Sequence, residues 1–342
     1  MLKRAGALWI AGALLLAGVP RAEAAPAPKK FAVGAVTNTG NIVNFAAVDK
    51  GFYAKHGIDA KIFAQDTGSA LSKALDAGEL DLSVAAMSNI PVALERGLNA
   101  KAIVGYFGAA YTRTVDDDML AAAVRPDSGI HSVADLKGKK VGVTFGTSSD
   151  LYLVEVLKRA GIAPSAMERI NVQPSNMTAL FDAGKVDAMV MWEPYITHML
   201  DKVKGSRELI RGGGYFCQCA AMHGFPAKLY ADRDLTQRVV NAIAEAARWV
   251  RDPKNLDEIG QISARYVRGL DPELAKRTHK YHTFDPRLGK NTFKAFNQTV
   301  QQLLEQKKMK APYPPEKYYD TSFIERTMKQ HPEWFGDLPG ES

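Results

Sequence analysis

The stretch Asp76-Ala77-Gly78-Glu79-Leu80-Asp81-Leu82-Ser83-Val84 occurs a second time as Asp182-Ala183-Gly184-Lys185-Val186-Asp187-Ala188-Met189-Val190. Both copies follow the pattern Asp-Ala-Gly-x-(Leu/Val)-Asp-x-x-Val, in which the glycine can end a helix and the apolar run can form a strand. An internal repeat of this kind indicates a structural unit that the chain uses twice. We therefore expect two similar units.

The similarity extends upstream of both copies. Val33-Gly34-Ala35-Val36 leads through a polar loop and a helical run to Lys55-His56-Gly57-Ile58, and Val141-Gly142-Val143 leads in the same way to Arg159-Ala160-Gly161-Ile162. Each unit therefore has the order β-α-β-α-β, and helical crossovers between strands build a parallel sheet. The sequence predicts an α/β protein with two lobes. The later strands are predicted at 60–64 and 80–86 in one unit, and at 169–172 and 186–191 in the other.

The remainder of the chain is predicted to be mostly helical and to complete the first unit. Segments 109–125 and 210–216 are interpreted as two crossings between the lobes. Lobe one then comprises residues 31–112 and 216–342, and lobe two comprises residues 113–215. A hinge that the chain crosses twice permits a cleft that opens and closes.

The composition is that of an ordinary globular protein. The chain has 342 residues, 46% hydrophobic and 24% charged, which excludes a disordered, collagen-like or coiled-coil protein. A formal net charge of +7 is modest, and without a clustered basic patch it does not indicate a nucleic-acid partner. Two cysteines exclude a multi-cysteine zinc or iron–sulfur site. We expect no cofactor, no metal and a monomer.

Residues 1–24 have the pattern of a cleavable secretory signal. Lys3 and Arg4 precede the uncharged run 5–19, and Ala22-Glu23-Ala24 supplies the small-x-small cleavage site. A membrane anchor is the alternative, but the run is shorter than the roughly 20 residues that span a bilayer. The sequence predicts a protein of the periplasm.

Cys217-Gln218-Cys219 is the one cysteine motif of the sequence. A single intervening residue strains the geometry of a disulfide. A redox pair or a metal clip is one interpretation. Two small residues on a strand beside the cleft are the interpretation that we favour, and whether they are bonded to each other stays open.

Four polar loops are predicted to meet at the cleft. In open α/β sheets ligands bind beyond the carboxyl ends of the strands, where helix N-termini present free N–H groups to small anions. The loops 37–41 and 88–91 belong to lobe one, and the loops 145–150 and 192–195 belong to lobe two. Any one of them alone is also an ordinary helix cap. The predicted ligand-binding residues are Thr39, Asn41, Ser88, Asn89, Thr147, Ser148, Ser149, Trp192 and Glu193.

Two of these residues have equally balanced alternatives. The indole of Trp192 can form a wall of the cleft or belong to the core. Glu193 can pair with a ligand amine or favour the positive start of its own helix. Phe107, Phe145 and Tyr215 are weaker candidates for walls.

The chain resembles the periplasmic substrate-binding proteins of ABC importers of the nitrate/sulfonate/taurine family. The resemblance extends from about residue 31 to residue 249 and is strongest over 135–195. It is carried by Gly51-Phe52-Tyr53-Ala54-Lys55-His56-Gly57-Ile58, Asp135-Leu136-Lys137-Gly138-Lys139-Lys140-Val141-Gly142-Val143, Gly146-Thr147-Ser148-Ser149, and Ala183-Gly184-Lys185-Val186-Asp187-Ala188 followed by Trp192-Glu193-Pro194.

The resemblance implies a type II periplasmic-binding-protein-like fold that captures a small anion, such as an aliphatic sulfonate or taurine, and then docks on a membrane permease. Relatives with the same scaffold bind nitrate, bicarbonate, pyrimidine precursors or aromatic carboxylates, so these ligands stay open.

Enzyme motifs are missing from the sequence. There is no Gly-x-Ser-x-Gly elbow, phosphate-binding loop, Gly-x-Gly-x-x-Gly or His-Glu-x-x-His. His279 and His282 are three residues apart and could share a helix face, but solvent-exposed or structural roles are expected for both. We expect that the protein is not an enzyme. The alternative from a different functional class is a secreted α/β enzyme that uses Asp150, Glu193 or a histidine in the same cleft.

Overall fold

The structure is a computed structural model that describes residues 29–341, so the predicted signal, residues 1–24, lies outside the described residues. Ten strands are present in this part of the chain: β1 (Lys29–Val36), β2 (Ile58–Gln65), β3 (Ser83–Ala86), β4 (Lys101–Phe107), β5 (Leu120–Val124), β6 (Lys140–Val143), β7 (Glu168–Asn171), β8 (Ala188–Trp192), β9 (Arg207–Arg211) and β10 (Ala220–Gly224).

Thirteen α-helices accompany these strands between residues 29 and 341: α1 (Ile42–Asp49), α2 (Phe52–Lys55), α3 (Gly68–Asp76), α4 (Ile90–Glu95), α5 (Ser148–Arg159), α6 (Met177–Asp182), α7 (Tyr195–Lys202), α8 (Pro226–Ala231), α9 (Arg233–Arg251), α10 (Leu256–Tyr266), α11 (Pro272–His279), α12 (Lys290–Glu305) and α13 (Ser322–Gln330). The predicted α/β class is confirmed. None of these helices is both long and apolar enough to cross a membrane.

The second lobe is built on one five-stranded sheet with the order β7-β6-β8-β5-β9. Strands β7, β6 and β8 are parallel, while β5 runs antiparallel to both β8 and β9. All five residues of β8 are buried, as expected for a central strand that is covered on both faces.

The first lobe repeats this arrangement. Its strands form a parallel pair, β1-β2, and an antiparallel group with the order β3-β10-β4. The two parts are joined where Gly34 donates its N–H to the carbonyl of Leu82 at 2.7 Å. The strand succession β2-β1-β3-β10-β4 therefore matches β7-β6-β8-β5-β9, with an antiparallel strand in the fourth place of each. The repeat in the sequence corresponds to this shared topology.

The first crossing between the sheets is shorter than the predicted segment 109–125, and the second lies further along the chain than the predicted segment 210–216. The first crossing is 108–119 and the second is 212–219, between the strands that flank them. Segment 120–124 is not part of the crossing, because its five buried apolar residues form β5 between β8 and β9. The crossings lie side by side: Asp116 donates to the carbonyl of Phe216 at 3.1 Å and accepts from the N–H of Gln218 at 2.8 Å.

A disulfide joins Cys217 and Cys219 in the second crossing. The sequence left this bond open, and the expected strand position is wrong, because β10 begins only at Ala220. Their Cα atoms are 5.0 Å apart, within the range of ordinary disulfides despite the single residue between them.

Candidate functional site

A narrow cleft lies between the two lobes at the carboxyl ends of strands β1, β3, β4 and β8. The cavity volume that the centre of a water molecule can occupy in this cleft is about 40 Å³. The first lobe contributes Val36, Asn38, Asn41, Gly68, Val84, Ala85, Ala86, Ser88, Asn89 and Phe107, the second lobe contributes Thr147, Ser148 and Trp192, and the second crossing contributes Gln218.

Six of the nine predicted site residues line this cleft. They are Asn41, Ser88, Asn89, Thr147, Ser148 and Trp192. The other three, Thr39, Ser149 and Glu193, lie beside it and are not among the lining residues. Sequence reasoning missed Asn38, Gly68 and Gln218. Of the candidate aromatic walls, Phe107 lines the cleft, whereas Phe145 is 45% exposed outside it.

The loop before α5 is held by its own side chains. Gly146 has φ +72, a conformation that favours glycine, and its N–H donates to Asp150 Oδ2 at 3.1 Å. Thr147 donates its hydroxyl to the carbonyl of Thr144 at 2.7 Å and lies 2.9 Å from Ser149 Oγ. Because Ser149 supports Thr147 in this way, its hydroxyl orders the loop, while Ser148 faces the cleft.

The loop after β1 is ordered by a pair of asparagines. Asn41 Oδ1 accepts the N–H of Val36 at 3.1 Å, and Asn41 Nδ2 donates to Asn38 Oδ1 at 3.0 Å. Thr39 points elsewhere, since its hydroxyl lies 3.4 Å from His282 Nε2. Burial lowers the pKa of His282 to about 3, so this histidine is neutral near pH 7.

Glu193 is fully buried and has partners on its own lobe. Its Oε1 lies 2.6 Å from a guanidinium nitrogen of Arg211, and the same carboxylate accepts the N–H and the hydroxyl of Thr197. Burial raises the pKa of Glu193, and Arg211 opposes that rise. The carboxylate therefore stabilises the start of α7, which agrees with the helix-favouring interpretation of the sequence.

Four buried polar atoms of the cleft have no hydrogen-bond partner within residues 29–341. They are Ser88 Oγ, Asn89 Oδ1, Trp192 Nε1 and Gln218 Oε1. Ser88 and Trp192 donate, whereas Asn89 and Gln218 present acceptors as their amides are oriented here. Buried polar groups without partners are rare and costly, so the convergence of these four atoms from two lobes and a crossing makes the cleft the candidate binding site.

The cleft has no charged side chain among its described lining residues. The nearest carboxylate of the α5 loop, Asp150, is paired with Arg169 at 3.1 Å and with Lys308 at 2.8 Å. Two cations against one anion leave this edge of the cleft positive, alongside the first turn of α5, whose N–H groups lack intrahelical acceptors. No group of three or more His, Cys, Asp or Glu that could hold a metal is found in the described part of the chain.

Two α/β lobes of shared topology, connected by two crossings and separated by a polar cleft, define the periplasmic binding protein fold. The chain belongs to the NMT1-like family, whose model matches residues 24–264. The family resemblance drawn from the sequence is thereby confirmed.

Curated relatives of the chain are named as binding proteins. A putative binding protein of Brucella abortus (strain 2308) is 29% identical over 232 residues, which are 67% of this chain and 68% of the relative. A putative aliphatic sulfonates-binding protein of Escherichia coli (strain K12) is 28% identical, over 55% of this chain and 56% of the relative. A nitrate/nitrite binding protein of Synechococcus elongatus is 28% identical, over 70% and 59%.

Solved structures share the fold over most of the chain. The alkanesulfonate-binding protein of Xanthomonas axonopodis pv. citri bound to MOPS has a TM-score of 0.72 at 21% identity and covers 84% of this chain and 96% of its own. The nitrate-binding protein of Synechocystis PCC 6803 has a TM-score of 0.75 at 14% identity, over 93% and 94%. A desulfurization enzyme also shares the fold, with a TM-score of 0.67 at 15% identity over 89% and 99%.

Proposed function

We propose that the protein is the extracytoplasmic receptor of an ABC importer and that it captures a small organic anion of the aliphatic sulfonate or taurine class. The observation that carries this proposal is the set of four unpartnered polar atoms that converge on the cleft from both lobes and the second crossing. The names of the curated relatives support the receptor role and the class of ligand.

A sulfonate group would be held by neutral donors. The hydroxyl of Ser88, the indole N–H of Trp192 and the first turn of α5 can donate to its oxygens, and no carboxylate of the described lining opposes them. Donors fixed in a water-poor site bind an anion without a neutralising side chain, and the positive edge at Asp150 adds to the attraction.

The unpartnered acceptors favour a ligand that also carries N–H donors. Asn89 Oδ1 and Gln218 Oε1 have nothing to accept from within the described residues. Taurine bears a sulfonate and an ammonium group, and therefore matches donors and acceptors together, whereas an unsubstituted alkanesulfonate matches the donors alone. Nitrate, bicarbonate, a pyrimidine precursor or an aromatic carboxylate is the alternative ligand of the same receptor.

Capture requires the lobes to open and close. Contacts between the lobes hold the cleft in this form: Tyr195 donates its hydroxyl to the carbonyl of Thr37 at 3.2 Å, and Ser69 donates its hydroxyl to the carbonyl of Gly146 at 3.5 Å. A ligand that contacts both lobes binds the closed form better and so shifts the population toward it. The closed receptor would then dock on the permease of the inner membrane, in the periplasm, with no chemical change of the ligand.

The test is a screen by thermal melting. The purified protein is melted with taurine, ethanesulfonate, nitrate, bicarbonate, benzoate and thymine over a range of concentrations. We expect the largest rise in Tm with taurine, growing with the logarithm of its concentration, and a smaller rise with ethanesulfonate. The bound taurine should be recovered unchanged. The absence of any shift across the whole panel, or conversion of taurine to a product, would overturn the proposed function.

A further inference from the structure

Gln218 is enclosed in the disulfide of the second crossing. Cys217 and Cys219 on either side of it are bonded to each other, and their exposed fractions are 0% and 1%. The bond closes a ring of three residues around Gln218. A ring this small restricts the backbone dihedral angles of the residue inside it, and so restricts the direction in which its side chain leaves the chain.

The ring is anchored on both sides. The N–H of Gln218 donates to the carbonyl of Asp116, in the first crossing, at 2.8 Å, and the carbonyl of Cys219 accepts the N–H of Met87 at 2.8 Å. Met87 immediately precedes the cleft residues Ser88 and Asn89. The same ring therefore connects the two crossings with the loop that carries two unpartnered atoms of the cleft.

A close backbone approach completes the anchoring. Gly108, at the start of the first crossing, has φ +84, and a Cβ built on it would come 2.6 Å from Cys219 Sγ. Only glycine leaves room for the disulfide to pack against the other crossing at this point. The disulfide is therefore buried between the two crossings that connect the lobes.

The side chain of Gln218 reaches the cleft. It is 4% exposed, it lines the cleft, and its Oε1 has no partner within residues 29–341. An amide placed in a cleft at this degree of burial, with one end unused, needs a partner from outside the chain.

We infer that Gln218 is a ligand-contacting residue of the cleft, and that the Cys217–Cys219 disulfide is the device that positions it together with the loop after Met87. This inference rests on the proposed function, since it concerns the ligand of the same cleft. It assigns a ligand contact to the crossing itself, so that the molecule bound between the lobes also contacts the segment about which they move.

Positioning lowers the entropic cost of binding. A glutamine side chain has three rotatable bonds, and in an unconstrained segment its backbone dihedral angles vary as well. Ligand binding then has to order both the side chain and the backbone. The ring and its anchors fix the backbone before the ligand arrives, so that less freedom is lost on binding. Without the disulfide the amide of Gln218 would still be present, but its backbone would be ordered only when the ligand binds.

The first experiment measures taurine and ethanesulfonate binding by calorimetry for the wild-type protein, Gln218→Ala and Ser263→Ala. Ser263, in α10 of the first lobe, is the control, because its Oγ is also buried and unpartnered in the described chain but does not line the cleft. We expect Gln218→Ala to weaken taurine binding about five-fold or more, and Ser263→Ala to leave it unchanged. The inference is overturned if Gln218→Ala binds taurine as the wild type does.

The second experiment tests the disulfide. Thiols are counted in the denatured wild-type protein, and none should react before reduction. The double variant Cys217→Ala/Cys219→Ala should bind taurine several-fold more weakly, and dithiothreitol should weaken binding by the wild type to the same extent while leaving the double variant unaffected. If the double variant does not fold, wild type with dithiothreitol alone supplies the comparison. Two reactive thiols before reduction, or equal affinity with and without the bond, would overturn the positioning role.

The two proposals fail separately. If the wild-type protein binds no member of the panel, the proposed function fails and the ligand contact of Gln218 fails with it. If the wild type binds taurine and the Gln218 and cysteine variants bind it equally well, the proposed function stands and the inference about Gln218 is wrong.

Discussion

Lys308 Nζ lies 2.8 Å from Oδ2 of Asp150, and this pair joins the segment after α12 in the first lobe to the first turn of α5 in the second lobe. The side chain of Asp150 is 5% exposed and that of Lys308 is 27% exposed, so the pair is partly shielded from water. The same carboxylate accepts the N–H of Gly146 in the cleft loop. The carboxylate of Asp150 therefore takes part both in a contact between the lobes and in holding the loop before α5 in its conformation.

Lys308→Met should weaken taurine binding. The substitution removes one contact of the closed form, and Arg169 keeps the charge of Asp150 compensated. We expect a loss of about 1 kcal/mol in binding free energy, or about five-fold in Kd, because partly shielded pairs exceed exposed ones in strength. Calorimetry at low and high salt measures it, with a smaller salt dependence in the variant. The control is Lys307→Met, at an exposed neighbouring position; an equal loss in both variants would contradict the coupling.

Ser88→Ala should weaken taurine binding, and Ser83→Ala should not. Both hydroxyls are buried and unpartnered within the described chain, but only Ser88 lines the cleft. Loss of a donor that the ligand satisfies costs on the order of 1 kcal/mol of binding free energy. Calorimetry gives the affinities, and thermal melting of the ligand-free variants shows whether both remain folded. Equal effects of the two substitutions on affinity would show that the hydroxyl of Ser88 does not donate to the ligand.

Trp192→Phe should reduce affinity by about five-fold through loss of the indole N–H, since a neutral donor contributes about 1 kcal/mol. Trp192 Nε1 is buried and unpartnered in residues 29–341, and the ring forms a wall of the cleft. The ring also packs edge-on against Tyr195, so a modest fall in Tm is expected as well. Trp249→Phe, in α9 beside Phe52, serves as the control for a lost indole outside the cleft. Quenching of fluorescence by taurine should disappear in the first variant only.

Glu193→Gln should lower stability and spare affinity. The carboxylate is fully buried against Arg211 and Thr197, so its loss leaves the guanidinium group of Arg211 with Glu208 and the carbonyl of Asp118 as partners. We expect the free energy of unfolding to fall by about 2 kcal/mol, below the full cost of breaking a buried pair because Glu208 remains. Denaturant unfolding measures this change. A large loss of taurine affinity at unchanged stability would instead show that Glu193 contacts the ligand.

Stability should fall as the pH decreases from about 6.5 toward 4. Burial lowers the pKa of His223 to about 4 and that of His282 to about 3, below the ordinary value of 6.5. In this window the unfolded chain binds more protons than the folded chain, so acid favours unfolding. Each histidine can contribute up to about 1.4 kcal/mol per pH unit. Denaturant unfolding at pH 7.5, 6 and 5 measures the slope. His223→Phe should reduce it.

Much of the fold follows from the sequence because the repeat is local. The copies at 76–84 and 182–190 each end one helix and begin one strand, and those strands, β3 and β8, occupy the third place of their sheets. Loops at equivalent strand ends necessarily converge when two such sheets face each other, which is why six of nine predicted site residues line the cleft.

The remainder depends on contacts between segments that are distant in sequence. The partner of Glu193 is Arg211, on β9, and that of Thr39 is His282; neither pairing has a signal in the local sequence. The sequence places Gln218 on a strand beside the cleft, but only the assembled lobes show that it lies in a crossing and that its side chain lines the cleft. Segment 120–124 was assigned to a crossing because its apolar run is too short to distinguish a strand from a connection.

The position of β10 between β3 and β4 has a consequence for synthesis of the chain. The second sheet draws all its strands from residues 120–211 and can be completed as soon as they have been synthesised, whereas the first sheet lacks the strand between β3 and β4 until residues 220–224 follow. Until then β3 and β4 present unpaired edges, the kind of surface on which nascent chains associate wrongly. The lobe whose synthesis begins first is therefore the lobe whose sheet is completed last.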